Sequence, residues 1–192
     1  MIISYLYGPE GTKNSIVFSQ LQFSEAYSVP LTLIRPKIYY LLNREEDPNY
    51  VRLRGKKIKV KNLILFPEHI QKKTNIYSIE KAHLYSVDDL KQILSLIERV
   101  NPQALVMFLG LDRNHFGEVY ESHYFLLDIA YYKERIFTTC SVCEDGQAVF
   151  TQAVDEIGIE LFIPSVEGQI TYKLYEPRCE GCFVFPSELD MR

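Results

Sequence analysis

A chain of 192 residues with 47% hydrophobic and 24% charged residues is long and apolar enough to bury a core, which excludes a disordered or fibrous protein. Its formal net charge of -4 argues against a general nucleic-acid binder, because such proteins are basic. No apolar run reaches the length of a membrane span, and the start of the chain lacks the basic and apolar regions of a signal peptide, so a cytoplasmic protein is expected.

The chain opens on the apolar run MIISYLY (1–7), which reads as a buried strand. It leads into GPEGTKNS (8–15), the place of a phosphate-binding loop of pattern G-x-x-x-x-G-K-[ST]. In that frame Gly8 and Ser15 fit, Lys13 stands where the second glycine belongs, and Asn14 stands where the lysine belongs. SIVFSQLQFSEAY (15–27) can form a helix, LTLIRP (31–36) a second strand closed by Pro36, and NREEDPN (43–49) a polar turn. YVRLRGKKIKVKNLILF (50–66) alternates basic and apolar residues at period 2, as extended or hairpin structure does. Its basic residues Arg52, Arg54, Lys56, Lys57, Lys59 and Lys61 have no aromatic residue among them to stack on bases. A charged edge hairpin is the expected reading, since lysines on an edge block aberrant strand pairing. TNIYSIE (74–80) reads as a further short strand.

Ser86 then offers a helix N-cap, with Asp89 three residues on as its reciprocal partner. Leu90, Ile93, Leu94, Ile97 and Val100 follow at helical spacing, and Asn101-Pro102 ends the run. ALVMFLGL (104–111) is continuously apolar, as in a strand covered on both faces, and YESHYFLLDIAYY (120–132) reads as an aromatic-rich helix packed on the sheet. Strands that alternate with helices imply a mostly parallel sheet, so the fold class is α/β. From about residue 134 short strands, turns and cysteines replace that rhythm, which places a boundary near 137 between a domain of residues 1–137 and one of residues 138–192.

The four cysteines form two pairs, Cys140-x-x-Cys143 and Cys179-x-x-Cys182. Four thiolates so spaced suit one tetrahedral zinc ion (Zn2+), and an all-cysteine set leaves no open position for water, so a structural role is expected. The segment between the pairs is long for a plain zinc ribbon, so a loop is expected to protrude from it.

GLDRNHFGEVY (110–120) is similar to the segment G-L-D-x-D-F-x-G-x-x-F of the thymidine kinase family of the cellular, zinc-containing type II, through Gly110, Leu111, Asp112, Gly117 and Tyr120. YEPRCEGC (175–182) is similar to that family's Y-E-x-R-C-x-x-C ending, and GPEGTKNS matches its G-P-M-x-[SA]-G-K-[ST] through Gly8, Pro9 and Ser15. The resemblance spans nearly the whole chain and is weakest between about residues 36 and 75. It implies a P-loop-NTPase-like (RecA-like) parallel sheet flanked by helices, a small C-terminal zinc ribbon with four cysteine ligands, and a lasso-like loop over about residues 155–174. It also implies transfer of the γ-phosphate of ATP to thymidine with Mg2+, nucleoside contact near Tyr175 and Tyr120, and a homo-oligomer, a tetramer in the family.

The departures fall on the chemistry. Asn14 carries no charge for the phosphates, and Lys13 removes a glycine that lets backbone N–H groups approach them. The family's I-D-E-A-Q-F-F is here IEKAHLY (79–85), with Glu80 for the aspartate and Lys81 for the glutamate base. The family's K-P-x-x-D-x-R is here RPKIYYL (35–41), with Tyr39 for the acid and Leu41 for the arginine. A general base is worth about 10²–10⁴ in rate and a positioned charge donor about 10²–10³. The expected protein is therefore thymidine-kinase-like in build but impaired in catalysis, a nucleoside- or nucleotide-binding or assembly pseudokinase. One alternative is an active, divergent deoxynucleoside kinase that uses Lys13 for the phosphates and His83 or Glu80 as base. A third is a nucleic-acid-binding zinc-ribbon protein that uses residues 52–61.

Overall fold

In the computed structural model the described residues are 1–9, 13–36, 50–53, 56–59, 63–64, 70, 74–154 and 174–185. They fall into two compact units. The first takes Met1–Tyr7, the described residues from Lys13 to Gly110, and Glu121–Glu134; the second takes Gly8 and Pro9, Leu111–Tyr120, and the described residues from Arg135 on.

In chain order the first unit contains β1 (Ile2–Tyr7), α1 (Lys13–Tyr27), β2 (Leu31–Ile34), β3 (Tyr50–Leu53), β4 (Lys56–Lys59), β5 (Leu63–Ile64) and β6 (Ile76–Ile79). After these come α2 (Val87–Val100), β7 (Leu105–Gly110), α3 (Glu121–Ile129) and β8 (Tyr132–Arg135), whose last residue is counted with the second unit. One sheet has the order β5-β2-β6-β7-β1-β8, and its first five strands run parallel. Each parallel neighbour must be reached by a crossover. α2 links β6 to its neighbour β7, while α1 carries the chain from β1 past two strand positions to β2. β3 and β4 pair antiparallel in a separate ribbon, as the alternating pattern of 50–66 implies.

Strand register sorts the side chains. Tyr5, Phe108, Ile79 and Ile34 lie in one row across β1, β7, β6 and β2, and Ile3, Val106, Tyr77 and Thr32 lie in the next row on the same face. Against this face pack Leu90, Ile93 and Ile97 of α2 and Leu126 of α3, all fully buried. The opposite face carries Ser4, Met107, Ser78 and Leu33 in one row. Gln20 of α1 marks that side: it accepts from Ser78 Oγ at 2.7 Å and donates to Met107 Sδ at 3.3 Å.

The α2 boundaries follow the sequence signals. Asp89 N–H donates to Ser86 Oγ at 3.1 Å, and Ser86 N–H donates to Asp89 Oδ2 at 3.2 Å, which completes the capping box. At the far end buried Asn101 donates from Nδ2 to Thr74 O at 2.7 Å and accepts from Gln103 N at 3.2 Å. Two boundaries differ from the sequence reading. α1 begins at Lys13, two positions before the expected 15. The run 120–132 is helical only over Glu121–Ile129: Tyr131 N–H donates to Ile3 O of β1 at 2.9 Å, so the chain there exchanges helix bonds for sheet bonds and continues into β8.

In the second unit β9 (Thr138–Thr139) pairs antiparallel with β10 (Gln147–Ala148), and β11 (Phe150–Val154) with β12 (Leu174–Arg178). The expected lasso over 155–174 lies outside the described residues save Leu174, which pairs with Val154. Tyr39, Leu41 and the turn 43–49 also lie outside them. None of the helices is long and apolar enough to cross a membrane, among the described residues.

Tyr85 is the one member of the first unit's core whose hydroxyl has no hydrogen-bond partner among the described residues. Burial first, then the negative charges of Asp89 and Glu80, push its phenol well above the ordinary tyrosine range. An unsatisfied buried hydroxyl costs about 1–3 kcal/mol. Tyr85→Phe is therefore expected to stabilise the protein by about 1 kcal/mol and raise the thermal midpoint by about 2–4 °C. A lower midpoint in calorimetry would show that the hydroxyl is bonded.

Candidate functional site

The cysteines that the sequence pairs are brought together in the second unit. The four sulfur atoms lie within 4.8 Å of one another, with Cys143 Sγ 3.8 Å from Cys179 Sγ, too far for a disulfide. A tetrahedral ion with metal–sulfur bonds of about 2.3 Å holds its ligands about 3.8 Å apart. The cluster thus has the donor set and spacing of a structural metal centre for an ion such as zinc.

Backbone turns build it. Cys140 N–H donates to Gly146 O at 2.8 Å, and Glu144, in the left-handed region with φ +57°, donates its N–H to Cys140 O at 3.1 Å. That turn aims Val142 N–H at Cys140 Sγ (3.5 Å) and Gly146 N–H at Cys143 Sγ (3.3 Å). In the second knuckle the N–H groups of Cys182 and Phe183 share Cys179 O, at 3.1 and 3.0 Å. Gly146 is where the two knuckles meet: a Cβ there would sit 2.9 Å from Cys179 Cβ and 3.0 Å from its sulfur.

The thiols are electrostatically unequal. Burial pushes Cys140 up, but N–H groups aimed at its sulfur by Cys143, Cys179 and Val142 outweigh this and bring it down to about 6. Its hydrogen bond with Cys179, and then burial, push Cys182 up to about 12. Thiolates this close repel one another, so without a cation the protons stay on some of them; a divalent ion removes that conflict.

The residues that the sequence assigns to a nucleotide are placed as follows. Gly8 has a packing role: a Cβ would lie 2.2 Å from Ile136 O, so the backbone crosses too closely for any side chain. Lys13, Asn14 and Ser15 form the first turn of α1, and their side chains lie outside the described set. Glu80 follows β6 directly, with its N–H on Ile34 O at 2.9 Å. Its carboxylate Oε2 accepts from Arg35 Nε in a salt bridge that is largely buried on both sides. Lys81 adopts the left-handed region, φ +53° and ψ +42°, and starts a single 3-10 turn, Ala82–Leu84, that contains His83. Gly110 makes room for that turn, since its own Cβ position lies 3.3 Å from Ala82 Cβ.

In the second unit, Asn114 holds the loop 111–120. Its Oδ1 accepts from the N–H groups of Phe116 and Glu118, both at 3.0 Å, and its Nδ2 donates to Glu118 Oε2 at 2.8 Å. This loop brings buried His115 edge-on to Tyr175, ring centres 6.1 Å apart. Tyr120 returns to the loop's start through its N–H on Asp112 O at 3.1 Å. Asp112 is buried, and its Oδ2 accepts from Arg135 Nη2 at 2.8 Å with Arg113 Nε 4.0 Å away.

Sequence reasoning missed three of these relations: the Arg35–Glu80 pair, the His115–Tyr175 pair and the Arg135–Asp112 pair. Each joins residues far apart in the chain. The first had a usable signal, since Arg35 and Glu80 each follow the last apolar residue of a short strand and adjacent parallel strands end side by side.

The purified, reduced protein is expected to carry one zinc per chain, and Cys179→Ser or Gly146→Ala to lower that content. Protons compete with the metal for sulfur, so zinc is retained at neutral pH and lost as pH falls; uptake near pH 7 displaces the Cys182 proton. Elemental analysis that finds no zinc rejects the centre. For the ion pair, removing one partner from a buried salt bridge costs about 3–5 kcal/mol, whereas replacing both with apolar residues is close to neutral. Arg35→Met alone is thus expected to destabilise strongly in urea unfolding, and Arg35→Met/Glu80→Leu to recover most of the loss.

No protein-family model matches the chain, and no curated protein matches it either.

Proposed function

We propose that this is a thymidine-kinase-like protein that binds a nucleoside or nucleotide without transferring phosphate, its four-cysteine centre holding a structural zinc. One observation carries the loss of catalysis. At the carboxyl end of β6, where the resemblance puts the proton acceptor, the carboxylate of Glu80 is engaged by Arg35, and the next side chain is a lysine. Phosphoryl transfer rests on positioning and charge, with a carboxylate to receive the hydroxyl proton in kinases of this mechanism. A protonated lysine cannot take that proton.

Support for retained binding comes from the second unit. The exposed ring of Tyr175, backed edge-on by buried His115 of the Asn114-braced loop, is an aromatic group of the kind on which a base stacks. Zinc would hold Tyr175 in place, because β12 runs from Leu174 into the knuckle of Cys179. A homo-oligomer and a cytoplasmic location belong to the same reading and rest on the resemblance and the sequence pattern.

The test has two arms. In a labelled-thymidine assay with ATP and Mg2+ the expected turnover is undetectable, and Lys13→Gly/Asn14→Lys/Lys81→Glu is expected to gain more than any of the three changes alone, because such groups act as a unit. Turnover near ~1 per second, abolished by Lys13→Ala, would make this a working kinase. In a thermal-shift screen of thymidine, dTTP and ATP at least one is expected to raise the midpoint. If none does at millimolar concentration, the binding reading fails.

A further inference from the structure

We infer that Arg35 takes the place of a divalent cation at Glu80, so that this end of the sheet receives its ligand free of metal. The inference rests on reading the carboxyl end of β6 as the former nucleotide site. In nucleotide-hydrolysing folds of this architecture an acidic residue at such a strand end helps to hold magnesium, which neutralises the phosphates. Glu80 is the acidic residue in that position here. The question is whether its surroundings fit the ion.

They do not. Magnesium requires near-octahedral oxygen ligands at about 2.0–2.1 Å and gives up water reluctantly, so it needs an accessible carboxylate with room for its hydration shell. The Glu80 carboxylate is largely buried, and its Oε2 is already bonded to Arg35 Nε. Arg35 is itself buried, on the last position before Pro36, and cannot swing out without leaving the Glu80 carboxylate unpaired in a place largely closed to water.

Register makes the pairing obligatory. Ile34 and Ile79 are partners across β2 and β6, and Glu80 N–H closes on Ile34 O, so the residues one step further on emerge side by side. By the alternation of side chains they emerge on the Leu33 and Ser78 side of the sheet, the side on which Gln20 places α1. The local charge then differs from that of a metal site, because Arg35 balances Glu80. A neutralised carboxylate offers a hydrated divalent cation little attraction, and the site suits a neutral nucleoside, or a nucleotide whose phosphates are met by the chain's own cations.

Manganese titration followed by electron paramagnetic resonance tests this on the intact, zinc-loaded protein, with Mn2+ alone as the probe. The unmodified protein is expected to show no Mn2+ site tighter than millimolar that depends on Glu80, so Glu80→Gln leaves the titration unchanged. Arg35→Met, which keeps an unbranched apolar stem but removes the charged guanidinium that covers the carboxylate, opens Glu80 and is expected to create a site tighter by about tenfold or more, lost again in Arg35→Met/Glu80→Gln. A micromolar Mn2+ site in the unmodified protein that Glu80→Gln removes overturns the inference. So does a folded Arg35→Met protein that gains no site. If Arg35→Met does not fold, the comparison of the unmodified protein with Glu80→Gln still decides. No nucleotide enters the experiment, so its failure is separate from a failure of the proposed binding function.

Discussion

The in-phase pairing of four parallel strands is the constraint on which the first unit depends. β1, β7, β6 and β2 are aligned so that Tyr5, Phe108, Ile79 and Ile34 form one continuous apolar row. A slip of one residue in any strand would turn its row to the wrong face, exchanging for example Ile79 for Ser78 under α2. Apolar burial therefore fixes the register, and the register fixes what stands at the strand ends. Arg35 and Glu80 meet because Ile34 and Ile79 do. The ion pair adds little to the choice of fold, since a buried salt bridge is weak evidence for stability. Its effect is chemical: it ties up the acidic group of that strand end.

The second unit is organised on a different principle. Its two-stranded ribbons are short, and much of its local order comes from backbone hydrogen bonds aimed at sulfur and from side-chain braces such as Asn114. Small modules of this kind use a metal ion where a larger domain would use a hydrophobic core. The stacked and edge-on rings of Phe150, Phe183 and Phe185 add a small apolar cluster to the unit.

The parts of this structure legible in the sequence are those whose causes are local. Ser86 and Asp89 announced the start of α2 because a capping box is closed within four residues, and the β7 run was read from its unbroken apolarity. The two Cys-x-x-Cys pairs were legible as one cluster because thiol chemistry leaves few other reasons for that spacing. The end of α3 was not legible. Tyr131 and Tyr132 continue an aromatic run, and it is the distant strand β1, through the carbonyl of Ile3 and its pairing with β8, that takes the chain out of the helix. Gly8 was read from a loop motif, while its packing constraint comes from Ile136, a residue the motif cannot contain. The motif places Glu80 at the end of a strand; that β2 lies beside β6 and delivers Arg35 is a property of sheet order, which no single segment encodes.

The position of β1 in the sheet has a bearing on how the chain is made. β1 is synthesised long before β7, yet Ile2 through Tyr7 pair with Leu105 through Gly110, and the other edge of β1 is taken by β8. At elongation rates of about 5–20 residues per second an apolar strand therefore waits on the order of ten seconds outside the ribosome with both edges open. During that interval its unpaired N–H and C=O groups are a template for other chains. The early strand is thus open to pairing with other chains while the rest is made, and slowing translation between residues 8 and 104 would lengthen that exposure while leaving the finished molecule unchanged.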